Sequence, residues 1–385
     1  MKVPKKILPI IIISQFCCTS LWFASNAVMD GLIYDFGLLS SDIGSLTSSV
    51  QFGFILGTLV FAFFTITDRF SPSKVFFFSA LLGSIANLGL LWPENTFLTL
   101  MLSRFLTGFF LAGIYPVGMK IAADYFDKGL GKSLGYLVGA LVLGTAFPHL
   151  LKDLTSEVPW KSVIYATTVL AILGGLLIWI QIPDGPYRKP SQKLDISAFQ
   201  KIFKNQKLRA AAFGYFGHMW ELYVFWAFVP IILYRFAEMN QVVLNVSFLS
   251  FIVIGIGCAS CIIGGILSQR FGPKKVANIA LLSSAICCLL FPFVYNQETI
   301  SLLIGFMVLW GIVVIADSPM FSTLVAKSAD PKVKGTALTL VNCIGFTITI
   351  ISIQLLTLLA FQYSIFTFMI LAIGPILGLI AMRKA

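Results

Sequence analysis

The stretch Gly214-Tyr215-Phe216-Gly217-His218-Met219-Trp220-Glu221-Leu222 lies inside an apolar run from Leu208 to Leu233. At about 1.5 Å per residue such a run crosses the roughly 30 Å of a bilayer's hydrocarbon as a single helix. A carboxylate and an imidazole halfway along it are costly to bury, so by default they mark a functional site. At about 100° per residue, Gly214, Gly217, His218 and Glu221 share one face and Tyr223 falls on the opposite one. The polar stripe is flanked by small residues, where a ligand or a neighbouring helix can come close.

Working outward, the whole chain is built of such runs. Of its residues 58% are hydrophobic and 11% charged, beyond the roughly 45–50% apolar content of soluble domains. Apolar spans fall near 7–30, 42–66, 75–92, 96–124, 133–151, 161–182, 208–234, 246–268, 276–294, 299–324, 336–358 and 361–382. The fold class is therefore an all-α integral membrane protein with twelve transmembrane helices, whose partner is the lipid bilayer. The start, Met1-Lys2-Val3-Pro4-Lys5-Lys6, runs into an apolar stretch longer than a signal-peptide core and reads as the first span.

The formal charge of +11 has a topological meaning and does not call for nucleic acid. Apart from Lys152, Lys161, Arg235 and Arg104, every Lys and Arg falls at a terminus or in every second connection. Both termini are then expected to be cytoplasmic, in a multi-pass protein of the plasma membrane, or of the inner membrane of a Gram-negative cell. A shift by one helix would destroy the asymmetry, so the number of spans is even.

The longest connection, Pro183 to Lys207, divides the spans six and six: 1–182, a central cytoplasmic loop at 183–207, and 208–385. Its first part, Pro183-Asp184-Gly185-Pro186-Tyr187-Arg188-Lys189-Pro190, cannot hold a regular helix. Its second part sets Phe199, Ile202 and Phe203 among Lys201, Lys204 and Lys207, which suits either a short helix on an anionic leaflet or a solvated tether. The halves are related by an internal repeat. Arg69-Phe70-Ser71-Pro72-Ser73-Lys74-Val75 matches Arg270-Phe271-Gly272-Pro273-Lys274-Lys275-Val276, and Ala80-Leu81-Leu82-Gly83-Ser84 matches Ala280-Leu281-Leu282-Ser283-Ser284.

At these residues the chain resembles the major facilitator superfamily over its whole length. That family's signature between spans two and three is a Gly, then Asp-Arg, then Gly and basic residues, with a counterpart between spans eight and nine. The first copy here keeps Asp68, Arg69 and Lys74, with Phe64 and Ser71 where the family prefers glycine. The second keeps Gly265, Leu267, Arg270, Gly272, Lys274 and Lys275, with Gln269 in place of the acid. The resemblance implies two pseudo-twofold-related six-helix halves and a gating role for these residues. Asp68 would face the start of span eleven near Gly335, and Arg69 or Lys74 would pair with Asp124 or Asp127. The plainer alternative is turn chemistry with topology-setting charges.

The resemblance also implies a cavity bounded by spans one, four, seven and ten, and the polar residues agree: Asn26 and Asp30; Arg104, Tyr115 and Lys120; His218 and Glu221; Asp317 and Ser318. Glu221 is the first candidate for a proton-carrying carboxylate, because burial alters the balance between a carboxyl's charged and neutral forms. Structural pairing is its other reading. His218 either shares that proton or donates to an anionic group, unless a backbone carbonyl occupies it. Arg104 resembles the span-four arginine used for coupling or substrate binding, with pairing to Asp30 as its structural alternative. Lys120 and Asp317 sit toward the cytoplasmic ends of their spans, where gate chemistry competes with ligand contact. Trp22, Trp220 and Trp226 are aromatic candidates for the cavity wall.

This mixture of charges suits a small charged or zwitterionic organic solute moved with protons, by a protein expected to act as a monomer. Spans two and eight lack the arginines of the nitrate branch. The exporter signature in span five is partial: Gly135, Gly139 and Gly144 are present, with Pro148 where Gly-Pro is expected. A multidrug exporter and a non-transporting membrane sensor are the rival classes. An enzyme is not expected: there is no phosphate loop, HExxH or nucleophile elbow, and His149 and His218 are the only histidines. No cofactor or metal site is implied. Cys258-Ala-Ser-Cys261 has metal-like spacing but lies in an apolar span without His or carboxylate nearby, and all seven cysteines read as small hydrophobes.

Overall fold

The computed structural model describes residues 4–126, 130–188, 203–330, 333–360 and 364–383. A short apolar helix, α1 (Ile7–Thr19), is followed by eleven helices long and apolar enough to cross a membrane. These are α2 (Asp42–Phe63), α3 (Pro72–Leu91), α4 (Phe97–Tyr125), α5 (Ser133–Leu154), α6 (Lys161–Gln181), α7 (Gln206–Met239), α8 (Val246–Phe271), α9 (Pro273–Tyr295), α10 (Ile300–Ser328), α11 (Lys334–Ala360) and α12 (Ile365–Arg383). No strand occurs among the described residues. The all-helical fold of apolar spans is thus the one observed. Most of the proposed surface helix of the central loop, and Asp127, lie outside the described residues.

Among the described residues four spans are interrupted, α8 only at Ile256, between Val246–Gly255 and Gly257–Phe271. The first stops at Thr19, turns through residues 20–23 and resumes as the short helices Ala24–Ala27 and Met29–Phe36, so the expected continuous span over 7–30 is in fact three pieces. α4 breaks between Phe97–Leu111 and Tyr115–Tyr125, and α10 between Ile300–Val313 and Ser318–Ser328. In both, a proline (Pro116, Pro319) opens the second piece, where its missing N–H costs no helical hydrogen bond. α7 runs unbroken through Pro230.

The chain forms two compact units, residues 1–194 and 195–385. In the first, α2 packs along the first half of α4, α3 along α6, and α1 against α5 and α6. The α2–α4 approach depends on glycine. A Cβ added at Gly53 would stand 1.9 Å from the Phe105 carbonyl oxygen, and one at Gly108 would stand 2.0 Å from that of Val50. In the second unit, α7 packs against α11 and α12, and α8 against α10. There a Cβ at Gly311 would stand 2.0 Å from the Val253 carbonyl oxygen. Val253 and Gly311 follow Val50 and Gly108 at one common offset, close to that of the repeated connections, so the same backbone contact occurs in each unit.

The two repeated connections turn differently. Gly272 ends α8 with φ +82 before Pro273 opens α9. Its counterpart Ser71 has φ −59 and needs no glycine. The first connection bends earlier instead, at Thr65 with φ +49, and passes through the short helix Ile66–Arg69.

Candidate functional site

The stripe on α7 opens into a buried polar cluster within the second unit. Glu221 is 1% exposed. Its Oε1 accepts from the Trp310 indole Nε1–H at 2.6 Å and its Oε2 from the Ser284 hydroxyl at 2.9 Å. Trp310 comes from α10 and Ser284 from α9, so three helices meet at one carboxyl. The Cys288 thiol of α9 also bonds to it, and Asp317 is near enough to act on it electrostatically. No Lys, Arg or His lies within ion-pair distance of Glu221 among the described residues.

One turn earlier, His218 Nδ1 lies 2.8 Å from Asp317 Oδ1, both side chains being 1% exposed. The contact is at ion-pair distance but off hydrogen-bond alignment. His218 Nε2 and both Asp317 oxygens have no hydrogen-bond partner among the described residues. Asp317 sits here because α10 breaks beside it: it is the residue immediately before the helix Ser318–Ser328. The imidazole lies between the rings of Tyr215 and Phe321, each with its centroid 6.1 Å away. The glycines of the stripe admit a helix. A Cβ at Gly217 would stand 2.3 Å from the Gly374 carbonyl oxygen of α12. Trp220 turns to the same helix, its Nε1–H donating to the Ile370 carbonyl at 3.1 Å, and so lies apart from the His218–Glu221 cluster.

In the first unit the Arg104 guanidinium is fully buried. Its Nη2 donates to the Leu21 carbonyl at 3.0 Å and to that of Trp22, and its Nη1 to Asn87 Oδ1 at 3.4 Å. The Asn87 amide nitrogen is taken by the Thr167 and Thr168 hydroxyls of α6 at 3.2 and 3.1 Å, which turns its oxygen toward Arg104. The interruption of the first span lies at these same carbonyls, which an unbroken helix would direct along its own axis. Asp30 is not the partner of Arg104: its side chain is 84% exposed and pairs with Lys152 at 2.6 Å. Asn26 donates to the Thr47 hydroxyl at 2.8 Å, and Tyr115, half-buried, opens the second piece of α4.

The signature residues of the first copy form a separate cluster. Lys120 Nζ lies 3.3 Å from Asp68 Oδ1 and 3.9 Å from Asp124 Oδ1. Lys120, and not Arg69 or Lys74, is therefore the cation that meets Asp124 among the described residues; both of the others are exposed. The start of the central loop docks beneath them. Arg188 donates to the Asp68 and Phe70 carbonyls at 3.1 and 2.8 Å and pairs with Asp184, which accepts from Ser71 Oγ at 2.6 Å. Tyr125 OH donates to the Pro183 carbonyl at 2.6 Å. Residues 183–188, the first part of the central loop, are thus fastened to the first unit. In the second copy, Gly265 is buried in α8, Lys274 is half-buried at the start of α9, and Arg270 lies over the Phe271 ring at 5.3 Å.

Trp310 and Ser284, two of the donors to Glu221, escape a search for ionisable residues because neither carries charge. Gln15 and Gln51 escape for the same reason: both are fully buried, and neither amide has a hydrogen-bond partner among the described residues. The only signal available for any of the four was a polar atom in an apolar span.

Many solved structures share the fold, two transporters among them. One is the major facilitator superfamily proton:xylose symporter XylE bound to 6-bromo-6-deoxy-D-glucose, with TM-score 0.76 and 15% identity, covering 99% of this chain and 96% of that one. The other is the human organic anion transporter MFSD10 (TETRAN), with TM-score 0.75 and 15% identity, covering 99% and 100%. No curated protein sequence matches. The sequence description of the Major Facilitator Superfamily matches residues 11–353. With the multi-spanning helical fold and the repeated signature already in place, the chain belongs to the major facilitator superfamily of membrane transporters.

Proposed function

We propose that this protein is a secondary transporter that couples a proton to the movement of a small charged or zwitterionic organic solute by alternating access, with Glu221 as the proton-carrying carboxylate. The observation that carries the proposal is the carboxyl's setting: both oxygens are held by neutral donors, and no cation lies within ion-pair distance among the described residues. A buried carboxylate without a counter-ion is costly, so its charge state is tied to any positive charge that arrives, whether a proton or a cationic group of a solute. The fold also hosts many other solutes and couplings, so the site and not the fold supports the reading. Arg104 supplies a buried positive charge in the first unit, and His218 Nε2 and Asp317 Oδ2 supply polar atoms without a hydrogen-bond partner among the described residues in the second.

A thermal-shift screen of the purified protein against amino acids, organic acids, sugars and hydrophobic cations, at two pH values, tests this with Glu221→Gln alongside. A ligand that binds only the folded state raises its apparent stability. The expected result is one chemical class that stabilises the wild type in a pH-dependent way and stabilises the variant to an extent that no longer depends on pH. Broad stabilisation by hydrophobic cations, equal in wild type and variant, would favour a multidrug exporter and reduce Glu221 to a structural group.

A further inference from the structure

The proton-carrying role of Glu221 proposed above leaves a physical difficulty, since a carboxyl that alternates between two charge states must keep its hydrogen bonds in both. A carboxylate only accepts; a carboxylic acid must also donate. An indole N–H is a donor in every state, so Oε1, held by Trp310 at 2.6 Å, has to remain an acceptor throughout. Oε2 is held differently. The Ser284 oxygen lies 2.9 Å from Oε2 and 3.2 Å from the Leu281 carbonyl oxygen one turn back on α9. Its single proton has two acceptors within reach, and its lone pairs face whichever one it leaves.

We propose that Ser284 is the positioning residue for the proton: its hydroxyl turns between Glu221 and the Leu281 carbonyl, so the proton binds on Oε2. In the ionised state Ser284 donates to Oε2. When a proton arrives, an O–H bond forms at Oε2, the Ser284 hydroxyl proton swings to the Leu281 carbonyl, and the serine oxygen accepts from the new acid. Release reverses each step, and no bond other than O–H is made or broken. Both states keep the Trp310 bond at Oε1 and a Ser284 bond at Oε2. Rotation of one hydroxyl replaces the reorganisation of a helix, and neither charge state leaves a buried carboxyl oxygen without its bond.

The other titratable groups around Glu221 are His218 on the same helix, Asp317 on α10, and the thiols Cys287 and Cys288 on α9. The Cys288 thiol is a weak partner beside a hydroxyl. His218 Nδ1 lies at ion-pair distance from Asp317. Neither offers the paired acceptor that Leu281 gives to Ser284.

The test needs no transported solute. Infrared difference spectra of the purified full-length protein, recorded during a pH titration, read the C=O stretch of a protonated carboxyl directly. A pH-dependent band that Glu221→Gln removes assigns the titration to Glu221. Without such a band, the proton-carrying role itself falls. With the band present, Ser284→Ala is expected to shift its frequency and to raise its midpoint by about one pH unit, the difference between a hydrogen bond to a charged carboxylate and one to its neutral acid. Ser284→Thr, which keeps the rotatable hydroxyl, restores both. Ser284→Cys, of nearly the wild-type volume, covers the case in which threonine does not fold and falls between wild type and alanine. If frequency and midpoint in Ser284→Ala equal those of the wild type, the serine role is wrong and the Glu221 role stands.

Discussion

A single carboxyl, Glu221, draws donors from two other helices, and the strength of those bonds sets what substitutions there will do. Trp310 is fully buried and its N–H is committed to Oε1. Trp310→Phe removes that donor and part of the buried indole, leaving a buried acceptor without a partner and a small cavity. A loss of about 1–3 kcal/mol of stability is expected, visible as a lower melting temperature. An unchanged melting temperature would mean that the Trp310 bond contributes nothing. Arg104 and Asp30 make the opposite point about apparent partners. The sequence places them on spans one and four, both toward the outer third, yet Arg104 is bound to carbonyls and Asn87 while Asp30 pairs with Lys152 at the surface. Arg104→Lys, which replaces the guanidinium fork by a point charge, should lower the melting temperature, whereas Asp30→Asn should leave it where it was. The double variant should behave as the sum of the two. A coupling between them would show that the charges do act on one another.

At the scale of elements, close helix contacts are made through glycines that no polarity scan singles out. Gly108 and Gly311 each let a neighbouring backbone carbonyl approach to where a Cβ would sit. Alanine at either should cost about 2 kcal/mol or more, because the obstacle is backbone and cannot swing aside. Gly305, on the same helix as Gly311, has nothing within 4 Å of its Cβ position, and Gly305→Ala should be neutral or slightly stabilising. Detergent-solubilised melting curves of the three variants decide the matter, and equal behaviour of Gly305→Ala and Gly311→Ala would refute the packing account. The interruption of the first span belongs to this scale too. Ser20-Leu21-Trp22-Phe23 contains no proline or glycine, so nothing local announces a break. What holds it open is distant in sequence, the Arg104 fork on the Leu21 and Trp22 carbonyls. The break in α4 was foreshadowed by Tyr115-Pro116, where the local chain chemistry and the tertiary structure agree.

Over the whole molecule, what could be read in the sequence followed the strength of the physical signal. Membrane spans are long, apolar and bounded by charge, so α2 begins at the expected residue 42 and most other ends fall within a few residues of expectation. The repeat was legible because two connections keep the same order of Arg, Phe, Pro and Lys. Three-dimensional neighbourhoods were not legible in the same way: His218 and Glu221 lie one turn apart, but nothing in the chain pairs His218 with Asp317, or Lys120 with Asp68. Those pairings come from helix packing and from where α10 breaks. The central claim is that proton movement and solute movement meet at Glu221, and proteoliposomes containing a pH-sensitive dye test it most directly. The compound that most stabilises the wild type in the thermal-shift screen is added outside, and lumenal pH and counterflow are recorded together. The account predicts a solute-driven pH change in the wild type that Glu221→Gln abolishes while counterflow persists. A full pH change in Glu221→Gln would contradict it.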